Sequence, residues 1–428
     1  MKFYADLHIH SKFSRATSQD LNLENLNVWG QLKGLKVIST GDCIHPQWLK
    51  EIQEKLEPAE DGLFKLKKQF DVLAPQHVPS ACQSQVRFIL TAEISNIYKK
   101  MDKVRKIHNV IFMPSFEAAE KVQKRLDAIG NIRSDGRPIL GLDSRDLLEI
   151  VLESDPLSFL VPAHIWTPWF SALGSKGGFD VLTDCYGDLS RHIFAVETGL
   201  SSDPAMNWRL SQLDAYALIS NSDAHSAQKL AREANIFNTI LSYPAMVDCL
   251  KKADKGLVGT VEFFPQEGKY HYDGHRNCQM RMHPRETIDN KGLCPKCGKP
   301  VTVGVMARVE ELADHPEGRK APKAKPFLSL IPLAEIIAEA KGCGANTKSV
   351  REIFFKMLAR LGNELFILND APIDMIRKIA GDLVAEGIDR VRRGQVRIDA
   401  GYDGEYGHIK IFSDNERQAN KDQMMLFS

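Results

Sequence analysis

The chain has 428 residues, of which 43% are hydrophobic and 26% are charged, and its formal net charge is +1. A chain of this length exceeds one ordinary hydrophobic core, so we expect two or three domains. The nearly neutral charge excludes strong overall steering toward nucleic acid, and any anion-binding surface must therefore be local.

The first residues show no basic-then-apolar leader, and no apolar run approaches the length of a membrane span. We therefore expect a cytoplasmic protein that does not associate with a membrane. The eight cysteines are then expected to be reduced thiols or metal ligands, because disulfides persist mainly in oxidising compartments.

From residue 1 to about 245, short apolar runs alternate with amphipathic segments, a pattern that predicts parallel β/α units. Most runs carry His, Asp or Glu at or just after their carboxyl ends, where the active site of a β/α barrel forms. Only IHNVIF begins with its histidine, which fits a strand that runs in the opposite direction or starts at the rim. The runs are FYADLHIH, KVISTGDCIH, VRFILTAEI, IHNVIF, FLVPAHIW, HIFAVETG and AYALISNSDAH.

The pattern changes after these runs. Turns rich in His and Cys come first, and the Pro- and Lys-rich stretch DHPEGRKAPKAKP then predicts a basic linker. AEIIAEAKG and VREIFFKMLARLG predict amphipathic helices joined by a Gly-Cys-Gly turn. The expected domains are a barrel at 1–267, a Cys/His module at 268–313, the linker at 314–326, a mainly helical domain at 327–412 and a flexible tail at 413–428.

The barrel runs carry a set of candidate metal ligands. In a strand, residues i and i+2 face the same side, so the two imidazoles of DLHIHS point to one place. A single histidine is more often packed or solvent-facing, but imidazoles and carboxylates in this number would hold two or three ions such as zinc, manganese or iron. The candidates are His8, His10, Asp42, His45, Glu93, His108, His164, Asp223 and His225.

These motifs resemble those of the PHP superfamily (polymerase and histidinol phosphatase), which contains metal-dependent phosphoesterases. DLHIHS is similar to the first motif, TGDCIH to the second and NSDAH to the last. The resemblance implies a distorted seven-stranded β/α barrel that holds two or three divalent ions, Zn, Mn or Mg. The second motif usually reads Thr-Asp-His, whereas Cys43 and Ile44 separate Asp42 from His45 here, so either one could ligate. Arg15 stands where some members place a third-metal ligand.

Within the superfamily, the sequence resembles the endonuclease Q family over nearly its whole length. The resemblance rests on stretches such as SKFSRATS, GDCIHPQWL, RSDGRPILGLD, PAHIWTPWFS, ETGLSSDPAMNWRLS, YHYDGHRNC and GYDGEYGHIKIF. It implies a DNA repair nuclease in which metal-activated water hydrolyses the phosphodiester bond 5′ of a deaminated base (deoxyuridine or deoxyinosine) or an abasic site. Asp223 and His225 are the expected catalytic pair, although Asp223 could instead cap the following segment.

A second metal site is predicted from two close pairs, HRNC and CPKC, at opposite ends of a short hairpin. They resemble a zinc ribbon, in which four tetrahedral ligands form a closed structural site. His271 and His283 are also near, so the fourth ligand stays open. The predicted ligands of this one structural zinc are His275, Cys278, Cys294 and Cys297.

Basic and aromatic residues near the predicted barrel site are candidates for DNA contact. YKKMDKVRK predicts a basic hairpin loop along the phosphate backbone, although a solvated surface loop explains the same run. WTPWFS, after His164, offers tryptophans against which an extruded base could stack, unless they pack the barrel rim. The Gly-Cys-Gly turn resembles a helix-hairpin-helix, which offers N–H groups to phosphate, and a simple helical turn also explains it. The candidates are Lys99, Lys100, Arg105, Lys106, Trp166 and Trp169.

Two other functions stay open at this point. A PHP-type phosphatase acting on a small phosphomonoester would share the barrel ligands, but the Cys/His module, linker and helical domain would then have no use. A non-catalytic DNA-binding scaffold would not need a nearly complete ligand set.

The tail ends in QMMLFS, in which Gln423, Leu426 and Phe427 resemble the peptide that binds the bacterial sliding clamp. Deleting these last six residues is expected to abolish pull-down of the purified clamp, because the apolar anchor would be missing. Cleavage of a short lesion-containing oligonucleotide serves as the control and should not change. Unchanged pull-down would contradict the prediction.

Overall fold

The structure is a computed structural model that describes residues 1–253, 255–413 and 416. It has a mixed α/β fold with a central sheet. The predicted clamp-binding residues Gln423, Leu426 and Phe427 lie outside the described residues. The strands are β1 (Lys2–Asp6), β2 (Leu35–Ser39), β3 (Leu56–Pro58), β4 (Phe64–Leu66), β5 (Arg87–Lys100), β6 (Lys103–Met113), β7 (Ile139–Leu140), β8 (Phe159–Pro162), β9 (Ala195–Glu197), β10 (Ala217–Ile219), β11 (Ala234–Asn238), β12 (Leu257–Glu262), β13 (Asp273–His275), β14 (Met280–Met282), β15 (Phe327–Ser329), β16 (Arg397–Asp399) and β17 (His408–Lys410).

Helices follow most strands of the first half and dominate the C-terminal region. Helix ends carry the expected signals: Asn22 caps the first helix through its side chain, and Gly34 ends it with a φ of 91°. The helices are α1 (Leu23–Lys33), α2 (Pro46–Lys55), α3 (Ala74–His77), α4 (Phe116–Ile129), α5 (Ser144–Ser154), α6 (Leu182–Tyr186), α7 (Pro204–Asn207), α8 (Tyr243–Lys252), α9 (Pro284–Asp289), α10 (Val305–Leu312), α11 (Leu333–Lys341), α12 (Lys348–Leu361), α13 (Glu364–Asn369), α14 (Ile373–Ala380) and α15 (Asp382–Arg392).

The main sheet is only partly parallel. β1 pairs with β2, and β2 with β5, in the parallel sense that the alternating pattern predicts. In contrast, β11 runs antiparallel to β1, and β6 runs antiparallel to both β5 and β8. The expectation of parallel units throughout is therefore wrong, while the opposite direction of IHNVIF is confirmed. β9 and β10 form a separate parallel pair, and the closed seven-stranded barrel stays a prediction.

The basic run expected to form a loop is instead the end of a long hairpin. β5 and β6 stay paired from Leu90 with Met113 to Lys100 with Lys103. Only Met101 and Asp102 form the turn, and both have positive φ (52° and 56°), as tight two-residue hairpin turns require. The hairpin therefore holds its lysines and Arg105 in a strand ladder.

Two buried polar residues tie the end of β10 to β1. The Asn235 side chain accepts from the Ser220 N–H at 3.0 Å and donates to the Ser220 carbonyl at 2.9 Å and the Ala5 carbonyl at 3.3 Å. The Asp6 carboxylate accepts from the Ser222 N–H at 3.0 Å. These bonds replace a backbone ladder, and they bring the segments after β1 and β10 side by side.

The C-terminal helices are joined to the first half through a buried ion pair. Lys33, at the end of α1, approaches the carboxylate of Glu364 at 2.6 Å, and the two side chains are only 7% and 4% exposed. The same carboxylate accepts from the Leu333 N–H at 2.9 Å. The predicted helix pair is confirmed as α11 and α12, with α11 ended by Gly342 in a left-handed conformation (φ 64°).

The segment after α15 returns to the Cys/His module. The Tyr272 N–H donates to the Gly401 carbonyl at 3.0 Å, and the Gly404 N–H to the Lys269 carbonyl at 2.9 Å. Arg281 forms an ion pair with Asp399. The expected module at 268–313 therefore shares its backbone contacts with residues of the expected helical domain. Among the described residues, no helix is long and apolar enough to cross a membrane.

The buried ion pair yields a stability prediction. Lys33→Met is expected to lower the free energy of unfolding by about 3–5 kcal/mol, because Glu364 would be left buried without its cation. Denaturant unfolding followed by circular dichroism measures the change, and Glu364→Gln in the same chain should recover most of it.

The matched control is Lys348→Met, which removes an exposed pair in which Lys348 and Glu352 are 3.8 Å apart. That change should cost less than about 1 kcal/mol. An equally small loss for Lys33→Met would contradict the role given to the buried pair.

Candidate metal centre

The first and last predicted motifs lie side by side. The Asp223 N–H donates to the His8 carbonyl at 3.0 Å, and the His10 N–H donates to the Ala224 carbonyl at 3.1 Å. The two segments therefore continue as a short parallel bridge beyond β1 and β10. Residues more than two hundred positions apart are placed in one site, as DLHIHS and NSDAH predict.

The first ligand cluster is buried and short of hydrogen bonds. Glu93 Oε2 lies 3.4 Å from His10 Nε2 and 3.7 Å from His8 Nε2, and Asp223 Oδ1 lies 2.9 Å from His10 Nε2. Despite that short distance, His8 Nε2, His10 Nε2 and Asp223 Oδ1 have no partner in hydrogen-bond geometry. Buried polar atoms rarely remain unsatisfied, so their convergence fits a divalent cation.

The second cluster lies on the other side of the same carboxylate. Glu93 Oε1 is 2.6 Å from His108 Nδ1 and 3.0 Å from His164 Nε2. In each cluster the candidate ligand atoms are all within 4.8 Å of one another. Glu93 is therefore shared, with one oxygen facing each cluster, which is the arrangement expected of a bridging ligand between two ions.

Charge in the clusters is balanced between carboxylates and imidazoles. Burial raises the pKa of Glu93, but His108, His10 and His164 more than offset this and hold the pKa well below its ordinary value. Burial lowers the pKa of His8, whereas Glu197 and Glu93 raise it to a net value well above the ordinary one. A bound cation would displace these imidazole protons and take over the balancing of the carboxylate charge.

Asp42 lies behind His10 and belongs to neither cluster. Its carboxylate accepts from the Ser11 N–H at 2.7 Å, from the Ser11 hydroxyl at 2.6 Å and from the Ser14 hydroxyl at 2.9 Å. The same carboxylate lies 3.3 Å from His10 Nδ1. Asp42 was expected as a ligand, but these bonds occupy its oxygens, and its contact with Nδ1 turns His10 Nε2 toward the cluster.

His45 is also placed outside both clusters. Its ring stacks on Phe13 with centroids 4.5 Å apart, and its Nε2 lies 3.0 Å from the Arg133 carbonyl. His225 is likewise not among the clustered atoms: its Nδ1 lies 2.8 Å from the Asp223 carbonyl, and its ring meets His10 edge-on at 4.6 Å. Its side chain is 36% exposed, so His225 lies at the open side of the site.

Sequence reasoning missed two residues of the site. Glu197, at the end of β9, lies 3.0 Å from His8 Nδ1 through both carboxylate oxygens and accepts from the His164 N–H at 2.9 Å. The run HIFAVETG carried the signal, since its acid stands at the carboxyl end of a strand. Arg137, whose Nη1 donates to Glu93 Oε2 at 3.2 Å, lies on a segment that gave no such signal.

Three residues at the site have an unusual backbone conformation. Asp42, His164 and Asp223 all have positive φ (48°, 27° and 47°), a conformation that non-glycine residues seldom adopt. Such strain persists where surrounding contacts fix the backbone, and it is frequent at functional sites. Each of these residues directly follows or lies close to a strand end, where the chain turns sharply into a loop.

The Cys/His cluster forms as its spacing predicts. His275, Cys278, Cys294 and Cys297 bring one ligand atom each within 4.8 Å of the others. His271 is buried, which lowers its pKa to about 4, and it lies outside the cluster. The other alternative, His283, instead caps α9. The donor set fits one structural zinc ion.

The basic residues predicted to contact DNA differ in whether their charged groups are free to reach a ligand in solvent. Lys99 is exposed, whereas Lys100 donates to the Cys185 carbonyl at 3.0 Å. Arg105 stacks on Phe179 at 3.9 Å and donates to the Gly178 carbonyl. Its guanidinium is therefore occupied by contacts within the protein.

The two tryptophans after His164 also differ in their exposure to solvent. Trp166 is buried, and its indole N–H donates to Asn207 at 2.8 Å. Trp169 is 53% exposed, and the Lys106 ammonium lies 5.1 Å from its ring centre.

A family and one protein match part of the chain. Residues 332–395 match the family described as the MJ0043 C-terminal domain. Over 258 residues, or 58% of the chain, the sequence is 36% identical to the uncharacterized protein MJ0043 of Methanocaldococcus jannaschii. The match covers 31% of MJ0043, so the chain spans about a third of the length of that relative.

Two solved structures are similar over almost the full chain. The lesion-specific endonuclease PfuEndoQ of Pyrococcus furiosus superposes with a TM-score of 0.83 and 30% identity, over 98% of this chain and 99% of its own. An endonuclease Q in complex with a 27-mer duplex that carries an abasic lesion at the active site superposes with a TM-score of 0.81 and 31% identity, over 97% of this chain and 98% of its own.

The shared carboxylate yields a prediction about metal content. Glu93→Gln is expected to lower the divalent metal bound per chain in both clusters, whereas His108→Ala should affect only the second, because only Glu93 contributes to both. Elemental analysis after loading with Mn²⁺ and dialysis measures the manganese bound in the two clusters, and zinc in the Cys/His cluster serves as the internal standard.

Glu153→Gln is the matched control, since Glu153 pairs with Arg125 on the surface. It should leave the metal content unchanged. Retention of all barrel metal by Glu93→Gln would contradict the shared-ligand interpretation.

Proposed function

The chain belongs to the endonuclease Q family, and from its two ligand clusters we propose that it is a metal-dependent DNA repair endonuclease. The observation that carries the proposal is the buried Glu93 carboxylate, which faces a separate group of candidate ligands with each oxygen. Sites with two ions that share a ligand are common among enzymes that hydrolyse phosphate esters. The proposed reaction is hydrolysis of the phosphodiester bond 5′ of the damaged nucleotide.

The proposed ligands divide between two ions. His8, His10, Asp223 and one oxygen of Glu93 would hold the first, and the other Glu93 oxygen with His108 and His164 the second. Divalent ions bound there would make water a better nucleophile and offset the charge that develops on the phosphate. A third ion is kept only as a proposal. Arg15, Asp42 and His45, the residues considered for it, do not extend either cluster.

The residues behind the clusters fix the ligands before DNA arrives. Glu197 and Asp42 each contact the Nδ1 atom of one imidazole, so the Nε2 atoms of His8 and His10 are directed into the site. Fixed ligands lose little entropy when the ions and substrate bind, which favours fast chemistry. Asp223 and His225 remain the proposed catalytic pair: the first joins the cluster, and the second lines its open side.

We propose DNA that contains deoxyuridine, deoxyinosine or an abasic site as the substrate. The endonuclease Q complex described above holds a duplex with an abasic lesion, and the other two lesions follow from the resemblance of the sequence to the family. On this chain, exposed Trp169, which follows His164 in the sequence, offers a stacking surface with the Lys106 ammonium beside it. Trp166 and Arg105 would support this surface from the interior.

The remaining segments fit the same proposal. A zinc ion in the Cys/His cluster would stabilise a segment that is too small to form its own core. The C-terminal helices would bind DNA beside the site, and the tail would recruit a sliding clamp. The domain boundaries given above stay predictions.

A cleavage assay tests the proposed function. The protein is incubated with Mg²⁺, Mn²⁺ or Zn²⁺ and an end-labelled duplex that carries one deoxyuridine, deoxyinosine or abasic site. A single nick on the 5′ side of the lesion is expected, and Asp223→Asn should slow it by about 10³-fold or more, because metal-assisted stabilisation is worth several kcal/mol.

The exposed Asp20→Asn serves as the control variant and should cleave like the wild type. Undamaged duplex and a small phosphomonoester are the control substrates. Phosphate release from the ester without nicking would support a phosphatase instead, and binding without turnover would support a scaffold; either result would contradict the proposal.

A further inference from the structure

Residues 133–138 run along the edge of the two clusters and place a cation against them. The Arg137 Nη1 atom donates to Glu93 Oε2 at 3.2 Å, the oxygen that also faces His8 and His10. Among the described residues, this is the only hydrogen bond of the guanidinium. The Arg137 side chain is 29% exposed, so its guanidinium is accessible to a ligand from solvent.

This segment is fixed by the loops that follow the first two strands. The Gly136 N–H donates to the Phe13 carbonyl at 2.9 Å. Asp135 accepts from the Arg15 N–H at 3.2 Å and from the Arg137 N–H at 3.1 Å. Because Asp135 is itself buried, these bonds hold the backbone on both sides of Gly136 in one position.

Three residues at positions considered for metal ligands, Arg15, Asp42 and His45, instead contact this segment. His45 contacts the Arg133 carbonyl, and the Arg15 backbone binds Asp135. A Cβ at position 136 would overlap the Asp42 carboxylate, so glycine is needed where the segment meets Asp42. The residues at which the sequence deviates from the PHP motifs are therefore the ones that contact the segment carrying Arg137.

A cation at this place requires an explanation. Arginine stays protonated in proteins, so its charge opposes the binding of divalent ions to the carboxylate that it contacts. A structure that only held metal would gain from a neutral hydrogen-bond donor there. The arrangement becomes favourable when an anion enters, because the guanidinium fork matches two phosphate oxygens and one N–H still holds Glu93.

We propose that Arg137 binds a non-bridging oxygen of the scissile phosphate and positions the phosphorus against the two clusters. The inference rests on the proposed function and names a substrate-contacting residue for it. Arg137 supplies a fixed positive charge where negative charge develops during hydrolysis. The residues around it, Asp135, Gly136 and His45, are positioning residues.

A purely structural role makes a different prediction. If Arg137 only supported Glu93, its removal would release metal and leave recognition of the phosphate unchanged. If it binds phosphate, its removal leaves the metal in place and abolishes sensitivity to the charge of one phosphate. Metal content and phosphate sensitivity therefore separate the two roles.

The test combines a protein variant with an uncharged phosphate. Wild type, Arg137→Ala and Arg137→Lys are compared on duplexes with one abasic site, in which the bond 5′ of the lesion is a normal phosphodiester or a neutral methylphosphonate. Binding is measured on ice by fluorescence anisotropy with Ca²⁺, and gels verify that the DNA stays intact. Elemental analysis gives the metal content of each protein, and thermal unfolding verifies its fold.

The neutral linkage is expected to weaken binding by the wild type about 10-fold or more, as for loss of a charge-assisted hydrogen bond. For Arg137→Ala it should weaken binding less than about 3-fold, with unchanged metal content and with kcat/KM on normal DNA lowered about 10²–10³-fold. Arg137→Lys keeps the charge without the fork and should fall between the two. It also serves as the folded variant if Arg137→Ala unfolds.

Arg133→Ala is the matched control, because Arg133 lies on the same segment but pairs with Asp127 on the surface. It should behave like the wild type in both measurements. An undiminished effect of the neutral linkage in Arg137→Ala, or loss of metal from it, would overturn the assignment while wild-type nicking still stands. Absence of wild-type nicking would instead contradict the proposed function.

Discussion

The rest of the structure depends on one buried carboxylate that serves two groups of ligands. Glu93 is fully enclosed, so its charge must be compensated within the protein. One oxygen faces His8 and His10, and the other faces His108 and His164. Strands of both directions are needed for this: β1 and β5 lead into the site, and the antiparallel β6 returns His108 beside Glu93. The fold can thus be understood as the support that brings four imidazoles to one acid.

The next layer explains why the imidazoles hold their positions. Glu197 and Asp42 contact the Nδ1 atoms of His8 and His10, and each is fixed by further donors. Asn235 and Asp6 likewise fix the backbone between β1 and β10, where side-chain hydrogen bonds replace strand pairing. Most buried polar groups in proteins are hydrogen-bonded. Three of the buried atoms that lack a partner here, His8 Nε2, His10 Nε2 and Asp223 Oδ1, converge on the place proposed for a cation.

The sequence predicted the parts of this site that follow from strand geometry. Spacing of two residues placed His8 and His10 on one face, and acids or histidines at strand ends gave His164 and Asp223. Glu93 was predicted at a strand end in the same way, but it lies in the middle of β5, because that strand continues to Lys100. It could not choose between Asp42 and His45, because their directions depend on a turn in which Asp42 has a positive φ. Arg137 was also not predictable, since its position depends on contacts between residues 133–138 and loops more than eighty positions away. The ladder of the β5–β6 hairpin overrode the prediction of a loop in the basic run.

The geometry of Glu93 is that of a ligand shared by two divalent ions. Anomalous X-ray scattering from crystals soaked in Mn²⁺ tests it most directly, because it locates the ions without relying on activity. Two peaks about 3.5–4 Å apart are expected, one on each side of the Glu93 carboxylate. The absence of any peak within coordination distance of Glu93, or a single peak bound by only one of the two clusters, would contradict it.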